Sequence, residues 1–363
     1  MSRNGKEMLR FEKRENLSTK LKVFIPLVSI ITGLLIGAIV ILFAKINPLT
    51  AYKAILVGAF GSKYTFTETL VFATPLILIS VGLILVFKMN FWNIGAYGQY
   101  IMGALLSSYF ALFFPTNIPK LLLLTIMTLA GLLGGALWAL IPAVLKVYWD
   151  VNEVISTLLL NYVALYILQY FMYGPWRDPR SHGFPLSKMF ADNAQLPKII
   201  SNSRVHLGLI FGIVAAFIVW FIIKKTKLGY ETRIIGGSKD AAHYAGINVP
   251  KDIIIAMMIS GGLAGLAGMA QISGVIHLLQ IQINPDYGYT AIIAAWLSYL
   301  EPFTAIIVSI LLGALAAGGY QIQITMQVPF GIISVIESVI LFALIGSEIL
   351  LRYTIHLEKR RKM

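Results

Sequence analysis

The sequence predicts an all-α polytopic membrane protein, a transmembrane helical bundle of about ten segments with both termini in the cytoplasm. Of its 363 residues, 58% are hydrophobic and only 12% are charged, whereas a soluble domain carries about 25% charged residues. The apolar residues fall into long runs, and a helix needs ~20 such residues to cross a bilayer. Lys and Arg collect between particular runs. The chain is therefore expected to lie mostly in contact with membrane lipid.

Ten apolar segments are predicted, each bounded by polar, Gly-rich or Pro-rich sequence. The eighth is short enough to be a half-span or a tilted helix. The segments are 23–44, 66–87, 95–114, 121–145, 154–173, 207–223, 253–276, 287–300, 303–317 and 330–351.

The basic residues predict the orientation of these segments. Twenty of the 29 Lys and Arg residues fall in segments that are cytoplasmic if the N-terminus is inside, as the positive-inside rule requires. The predicted organisation is a charged tail at 1–22, a membrane domain at 23–351 and a basic tail at 352–363. Residues 224–252 form a cytoplasmic loop and 174–206 an external loop. We attribute the net charge of +13 to this topology rather than to nucleic-acid binding.

Glycine pairs at four-residue spacing predict close helix packing, because small side chains let backbones approach in lipid. The alternative is that Gly is simply common in membrane helices. The pairs are Gly33/Gly37, Gly131/Gly135 and Gly261/Gly265, with Gly268 extending the last.

The stretch "KMNFWNIGAYGQYIMGAL" at 88–105 interrupts the apolar pattern with amides, aromatics and glycines. Irregular backbone is tolerated at membrane depth where protein or a water-filled cavity satisfies it, and transporters build substrate sites this way. We favour such a cavity over an ordinary cytoplasmic turn. A similar mixture, "NPDYGYTAIIAAWL" at 284–297, suggests a weak internal repeat.

Other polar residues lie inside apolar runs. Glu153 is expected at a helix N-terminus, where the helix dipole favours an anion, whereas Asn161 and Gln271 are deeper. Glu337 needs a partner, water or a proton at mid-membrane and has either a functional or a structural role. His277 is expected near a membrane boundary.

Several kinds of chemistry are excluded by the sequence itself. The absence of Cys rules out disulfides, thiol catalysis and Cys-ligated metals. The chain contains no HExxH helix, no GxSxG elbow and no phosphate-binding loop. We therefore predict a protein that is not an enzyme, binds no metal or cofactor, and depends on another chain for any use of ATP.

Four segments together resemble a known family. "FWNIGAYGQYIMGAL", "NEVISTLLLNYVAL", "LGYETRIIGGSKDAAHYAGI" and "ISGGLAGLAGMAQISG" occur in this order. They resemble the membrane permease subunits of ABC importers in the branched-chain amino acid, ribose and nucleoside family, nearest the nucleoside (simple-sugar) branch. Trp92 and Tyr97 stand where nucleoside-type members usually have Phe and Glu. Another departure is Ala295-Trp296-Leu297-Ser298, with Glu301 before Pro302, in place of an Ala-Leu-Leu-Gly run before Asn-Pro.

The resemblance implies that the cytoplasmic loop contains a coupling helix that docks on an ATPase subunit. Here Gly236 and Gly237 are expected to turn the chain and Ser238 to cap a helix over 239–245, with Gly246 ending it. The alternative is an amphipathic surface helix that merely covers the bundle. The residues assigned to coupling are Gly236, Gly237, Ser238, Lys239, Asp240, Ala241, Ala242, Tyr244, Ala245 and Gly246.

The resemblance also implies the partners and the mechanism. Two ATPase subunits would bind ATP and Mg²⁺, a second permease, identical or homologous, would complete the path, and an extracytoplasmic lipoprotein would deliver substrate. The expected location is a prokaryotic plasma membrane, and the expected mechanism is alternating access.

The expected substrate is a nucleoside. Ribose, galactose or another simple sugar remains open, as does an ion-coupled secondary transporter that uses Glu337; a non-transporting membrane scaffold is disfavoured by the polar helix starts. The residues predicted to line the substrate path are Trp92, Asn93, Tyr97, Gln99, Asn161, Gln271, Trp296 and Glu337.

Overall fold

The computed structural model describes residues 7–13, 19–43, 45–115, 117–283, 286–327 and 353–359, and scattered positions between 335 and 346. It divides into two compact units. One is Leu56–Ala317, and the other combines Met1–Ile55 with Gly318–Met363.

The unit that contains both ends of the chain is not purely helical. Strand β1 (Glu7–Lys13) pairs antiparallel with strand β2 (Tyr353–Lys359), so each segment predicted as a charged tail contributes one short strand. Helix α1 (Thr19–Phe43) and the first part of helix α2 (Pro48–Phe60) also belong to this unit. The chain bends by 114° between 31–43 and 48–60, and the Tyr52 hydroxyl donates a hydrogen bond to the Leu34 carbonyl across the bend.

The larger unit contains the remaining helices. They are α3 (Lys63–Phe87), α4 (Ala96–Phe113), α5 (Lys120–Trp149), α6 (Glu153–Tyr173), α7 (Gly208–Lys225), α8 (Lys227–Gly237), α9 (Lys239–Tyr244), α10 (Val249–Gln271), α11 (Asp286–Leu297) and α12 (Pro302–Met326), which runs beyond this unit at its C-terminal end. A 3₁₀ turn (Asp192–Ala194) interrupts the loop after α6, and a π-helical turn (Ile272–Ile276) continues α10.

The helical membrane character is confirmed, but the predicted number of ten segments is not. Within the part of the chain that the structure describes, six helices are long and apolar enough to span a membrane, or seven if the bent α1/α2 pair counts as one span. Helix α4 is not among them, because its first turns carry the polar residues of the interruption. Helix α11 is too short, and most of the predicted segment 330–351 lies outside the described residues. Helices α2 and α8 were not predicted.

Close glycine contacts hold the centre of the larger unit, as the spacing predicted. A Cβ on Gly135 would lie 2.0 Å from the Gly261 carbonyl oxygen, and one on Gly265 would lie 2.1 Å from the Gly131 carbonyl oxygen. Gly103 and Gly268 extend the same contact between α4 and α10. Helices α4, α5 and α10 therefore meet backbone to backbone. Gly33 and Gly37 lie on α1, and their pairing stays a prediction.

The loop 174–206 is irregular, as its prolines predicted, and it is fastened to the segment after α10. Its backbone N–H groups at Ser187, Phe190 and Leu196 donate to the carbonyls of Leu279, His277 and Ser273, at 2.9, 2.8 and 3.0 Å. These bonds satisfy backbone groups that irregular structure would otherwise leave unpaired.

Two contacts of this loop region were not predicted. Arg204 donates from Nε to both carboxylate oxygens of Glu68 on α3, at 3.0 and 3.1 Å. His206 is buried, and its Nδ1 accepts a hydrogen bond from the Gly208 N–H at 3.1 Å. Burial, and then the neighbouring His277, lower the pKa of His206 to about 4, so the imidazole is neutral at physiological pH.

The glycine contact gives a stability prediction. Gly135→Ala should lower the midpoint of thermal unfolding by several degrees, because the new methyl meets a backbone carbonyl and overpacking costs about 1–3 kcal/mol. Gly237→Ala is the control, since no described atom lies within 4 Å of its Cβ position. The measurement is the melting of the detergent-solubilised protein, and equal midpoints for the two variants would contradict this account of the packing.

Candidate functional site

The chain between α3 and α4 is the polar interruption predicted from the sequence, and the structure makes it an irregular segment inside the helical unit. Helix α3 ends at Phe87, Asn90 takes a left-handed conformation with φ of 56°, and α4 begins at Ala96. An Asn tolerates this conformation better than most residues. The backbone groups of 91–95 are outside any helix and need other partners.

Helix α6 supplies those partners. The Asn161 side chain accepts from the Gly98 N–H at 2.7 Å and donates to the Ile94 carbonyl at 3.0 Å. The Thr157 hydroxyl accepts from the Ile94 N–H at 3.2 Å. Asn161 and Thr157 are both buried. Thr157 was not predicted as a site residue, although it lies four residues before Asn161 and therefore on the same helix face.

Asn93 and Gln99 form a reciprocal amide pair. The Asn93 Nδ2 donates to the Gln99 Oε1 at 3.1 Å, and the Gln99 Nε2 donates to the Asn93 Oδ1 at 3.0 Å. The Asn93 Oδ1 also accepts from the Gly95 N–H at 3.0 Å. Both side chains are fully buried. A solute could use these amides only by breaking bonds that shape the start of α4.

Three aromatic rings form a stack beside this break. The centroids of Trp92 and Trp296 are 5.2 Å apart with planes at 21°, and Phe87 stacks on Trp296 at 5.6 Å. A flat ring placed between two others needs about twice the separation of one stacked pair. Trp92 and Trp296 therefore cannot hold a ring between them in this conformation. The Trp92 side chain is 42% exposed and presents a free edge or face outside the stack.

Tyrosines from α4 and α11 form a second aromatic group. The rings of Tyr97 and Tyr289 lie 6.3 Å apart, and those of Tyr100 and Tyr287 also lie 6.3 Å apart in an edge-on arrangement. The Tyr289 hydroxyl is 3.5 Å from the Asn161 Nδ2, which joins this group to α6. Tyr100, Tyr287 and Tyr289 were missed; the last two stand in the "NPDYGYTAIIAAWL" stretch, whose aromatic content was the available signal.

Several buried polar atoms have no hydrogen-bond partner among the described residues, including the Gln271 Oε1, the Tyr100 hydroxyl and the Trp138 Nε1, which lies beside Gly98. A buried acceptor or donor without a partner is unfavourable. Gln271 and Tyr100 are therefore better placed than Asn93 or Gln99 to gain a polar partner from a solute.

Charged residues tie the helix ends together. Glu153 begins α6 and pairs with Lys146 at 3.1 Å, in agreement with its predicted place at a helix N-terminus. Glu301 lies 3.5 Å from the Lys88 Nζ and 3.1 Å from the Lys224 Nζ. Glu301 thus connects the turn before α12 to the ends of α3 and α7, a structural role that the sequence did not predict.

The predicted coupling segment, 236–246, contains the last two residues of α8 and all of α9. Ser238 caps α9, its hydroxyl accepting from the Ala241 N–H at 3.2 Å, and Gly246 follows with φ of 72°. The predicted cap is confirmed. Gly236 does not turn the chain, however, because it lies in the last turn of α8.

Gly236 instead permits a close contact with the site. A Cβ on Gly236 would lie 2.0 Å from the Lys88 carbonyl oxygen, and the Asn90 Nδ2 donates to the Gly236 carbonyl at 2.6 Å. The coupling segment is thereby bonded to the residues that precede Trp92.

The short helix α9 also differs from the prediction in the face that it exposes. Ala242, which was assigned to the coupling surface, is fully buried within this chain. The Tyr244 side chain is 94% exposed. The exposed residues of α9 include Asp240, Ala241, His243 and the projecting ring of Tyr244, and its C-cap Ala245 is exposed as well.

Among the predicted path residues, the structure brings together Trp92, Asn93, Tyr97, Gln99, Asn161 and Trp296 around the α3–α4 break. Gln271 is the last residue of α10. Glu337 lies outside the described residues.

The family model for the permease component of the branched-chain amino acid transport system matches residues 65–345, which is most of the chain. The chain belongs to this permease family. It is thus a membrane translocation component and not a catalytic subunit, and its apolar helices make it a multi-pass membrane protein. Membership does not favour the ion-coupled alternative.

Curated relatives cover nearly the full length of the permease. It is 31% identical to the glucose ABC transporter permease protein TsgB13 of Haloferax volcanii, over 96% of this chain and 93% of the relative. It is also 31% identical to the nucleoside ABC transporter permease protein NupB of Lactococcus lactis, over 88% and 90%. The guanosine ABC transporter permease protein NupP of Bacillus subtilis is 31% identical over 90% and 93%.

Asn161 provides the test of the site geometry. Asn161→Leu should lower both thermal stability and uptake by the assembled transporter, because it leaves the Gly98 N–H and the Ile94 carbonyl unpaired, at about 1–3 kcal/mol for each buried group. Val163→Leu, on the exposed side of the same helix, is the matched control. Wild-type stability and uptake in the Asn161→Leu protein would show that the break does not depend on this side chain.

Proposed function

We propose that the permease is the membrane-spanning subunit of an ATP-driven ABC importer that translocates nucleosides by alternating access across a prokaryotic plasma membrane. Family membership supports the ABC assembly. The observation that carries the nucleoside assignment is the group of aromatic side chains around the α3–α4 break, where Trp92 is partly exposed and Tyr97 contacts Tyr289. Aromatic faces suit a planar base, and the unpartnered Gln271 carbonyl suits a hydrogen-bond donor on the base or ribose.

Simple sugars are the second candidate. The glucose permease from Haloferax volcanii and the two nucleoside permeases have the same identity to this chain, so overall similarity does not separate the two substrate classes. A sugar also stacks on an indole, and Trp92 would serve either ligand. A nucleoside presents both a base and a sugar, so it would contact more aromatic side chains of the permease than a simple sugar would.

The proposed partners follow from the family and from the surfaces of this chain. Two ATPase subunits would bind ATP and Mg²⁺ and hydrolyse the nucleotide, since this sequence contains no phosphate-binding loop. A second permease, identical or homologous, would complete the path. An extracytoplasmic lipoprotein would present the substrate to the outer face, which in the predicted orientation includes the loop 174–206.

Helix α9 is the proposed contact with the ATPase. Its exposed Tyr244 is a large ring that can enter a groove on a partner, and Asp240 lies in its first turn. Movement of α9 would pass to α8 and then through the Asn90–Gly236 hydrogen bond to the segment before Trp92. Closure of the ATPases would in this way alter the Trp92–Trp296 stack and open the path on alternate sides.

The experiment is uptake by the complete complex in proteoliposomes. The complex comprises this permease, the second permease, the ATPase and the binding protein. We expect uptake of labelled guanosine or adenosine that requires ATP on the ATPase side and persists when ionophores collapse ion gradients. Uptake of glucose or ribose but no nucleoside would transfer the assignment to simple sugars. Uptake that follows an ion gradient without ATP would contradict the ABC mechanism.

Tyr244 tests the coupling contact. Tyr244→Ala should reduce the amount of ATPase that co-purifies with the permease and reduce coupled uptake at least tenfold, while thermal unfolding of the isolated permease is unchanged, because the ring is almost fully exposed. Tyr148→Ala, at the exposed end of α5, is the control and should leave both readouts at the wild-type level. Normal ATPase association in Tyr244→Ala would exclude α9 as the docking element.

A further inference from the structure

Helix α6 exposes a row of tyrosines along one face. Tyr162, Tyr166, Tyr170 and Tyr173 are 54%, 65%, 69% and 62% exposed. They follow one another at intervals of three and four residues, which places them on one side of an α-helix. We call these four residues the tyrosine row. The opposite side of α6, with Thr157 and Asn161, is buried against α4.

The exposed faces of two other membrane helices, α5 and α7, have a different composition. Large exposed residues within the membrane-spanning parts of α5 and α7 carry hydrocarbon side chains without a hydroxyl. They are Leu122, Leu129, Leu133, Leu137 and Ile141 on α5, and Ile210, Ile213, Val214, Phe217, Ile218 and Phe221 on α7. These faces suit lipid. The tyrosine row differs from them in chemistry at similar exposure.

The depth of the row separates it from an interfacial aromatic belt. Tyr and Trp are enriched at the two membrane surfaces. With a rise of ~1.5 Å per residue, the 21-residue α6 is about as long as the hydrocarbon core is thick, and Tyr162 to Tyr173 covers about half of it. Tyr173 lies at the end of α6 and fits a belt. Tyr162 and Tyr166 lie near the middle of the helix, where a hydroxyl facing lipid would lose its hydrogen bonds.

We propose that the tyrosine row lines the translocation path, where its hydroxyls contact water and a polar, ring-containing solute. The proposal rests on the proposed function and deepens it by naming specificity-determining residues. Each tyrosine offers an apolar ring face for stacking and a hydroxyl that both donates and accepts. A base and a ribose require both kinds of contact.

The row covers about half the length of α6. One end is Tyr173, where the loop 174–206 begins. The other end is Tyr162, one residue after Asn161, whose buried side chain bonds to α4 on the opposite side of the helix. The row is therefore a second face of α6, separate from its contacts with the α3–α4 break. Tyrosines spaced one helical turn apart would offer a moving solute similar contacts one after another. Such a row favours passage of the solute over tight binding at one position.

The absence of cysteine from this chain allows a direct test. Tyr166→Cys and Tyr170→Cys are introduced singly into the complete transporter in membranes, with Phe217→Cys as the matched control on α7, where Phe217 is 55% exposed. Each is treated with a charged, membrane-impermeant thiol reagent, with and without guanosine and the binding protein. We expect the α6 cysteines of this chain to be labelled at least tenfold faster than the control, and guanosine to slow that labelling.

A second measurement uses substitutions that keep the ring. Tyr166→Phe and Tyr170→Phe should raise the KM for nucleoside uptake severalfold with little change in the amount of folded protein, because only hydroxyls are lost. Tyr166→Ala should reduce uptake at least tenfold, whereas Phe217→Ala should retain it.

Two labelling results would overturn the proposal: labelling of the α6 cysteines no faster than that of Phe217→Cys, or labelling that guanosine does not affect. Oxidative cross-linking of two copies at these positions without labelling would also overturn it, because the row would then be a dry contact between permeases. If any of these occurs while nucleoside uptake still requires ATP, the tyrosine row is rejected and the proposed function stands. Labelling of the row in a transporter whose uptake proves independent of ATP would reject the proposed function and leave the row as a path lining.

Discussion

The structure depends on the hydrogen bonds that satisfy the irregular backbone between α3 and α4. A break between two helices leaves N–H and carbonyl groups without helical partners, and those buried inside the protein must find other partners. Asn161 serves Gly98 and Ile94, Thr157 serves Ile94, and the Asn93–Gln99 pair fixes the first turn of α4. With these bonds in place, the chain can present aromatic side chains at the break without losing stability. The polar residues of the candidate site are thus also the residues that stabilise its irregular backbone.

The same break connects the two ends of the proposed mechanism. Toward α8, Asn90 bonds to Gly236, and Glu301 holds the ends of α3 and α7 close to the turn before α12. Two residues after Asn90, Trp92 stacks on Trp296. The route from the exposed Tyr244 to the stacked indoles consists of α9, the end of α8 and the Asn90–Gly236 hydrogen bond. A displacement at α9 therefore has a short route to the aromatic lining, and the glycine contacts of α4, α5 and α10 give that lining a rigid support.

The structure shows which polar residues bond within the protein and which keep a free hydrogen-bonding atom, a difference that side-chain chemistry alone does not reveal. Asn93, Gln99 and Asn161 have the side chains that a ligand would need, and yet the protein's own backbone and amides occupy them. Gln271 has a similar side chain with an unpartnered buried carbonyl. Whether an amide stabilises the fold or is available to a ligand depends on whether another group of the protein already forms its hydrogen bonds.

The sequence by itself determined the membrane class, the close-packing glycines Gly131, Gly135, Gly261 and Gly265, the polar break at 88–105 and the cap at Ser238, because each depends on local composition or spacing. It did not determine the number of spans, since α4 is too polar to meet the hydropathy expected of a spanning helix. It also did not determine that the two ends of the chain pair as strands. Only the tertiary structure decided that Gly236 permits a close contact and that Ala242 is buried. It also decided that the tyrosine row is exposed while Thr157 on the same helix is covered. These outcomes depend on residues far apart in the chain, and the periodicity of one helix does not reveal which of its faces a distant helix will cover.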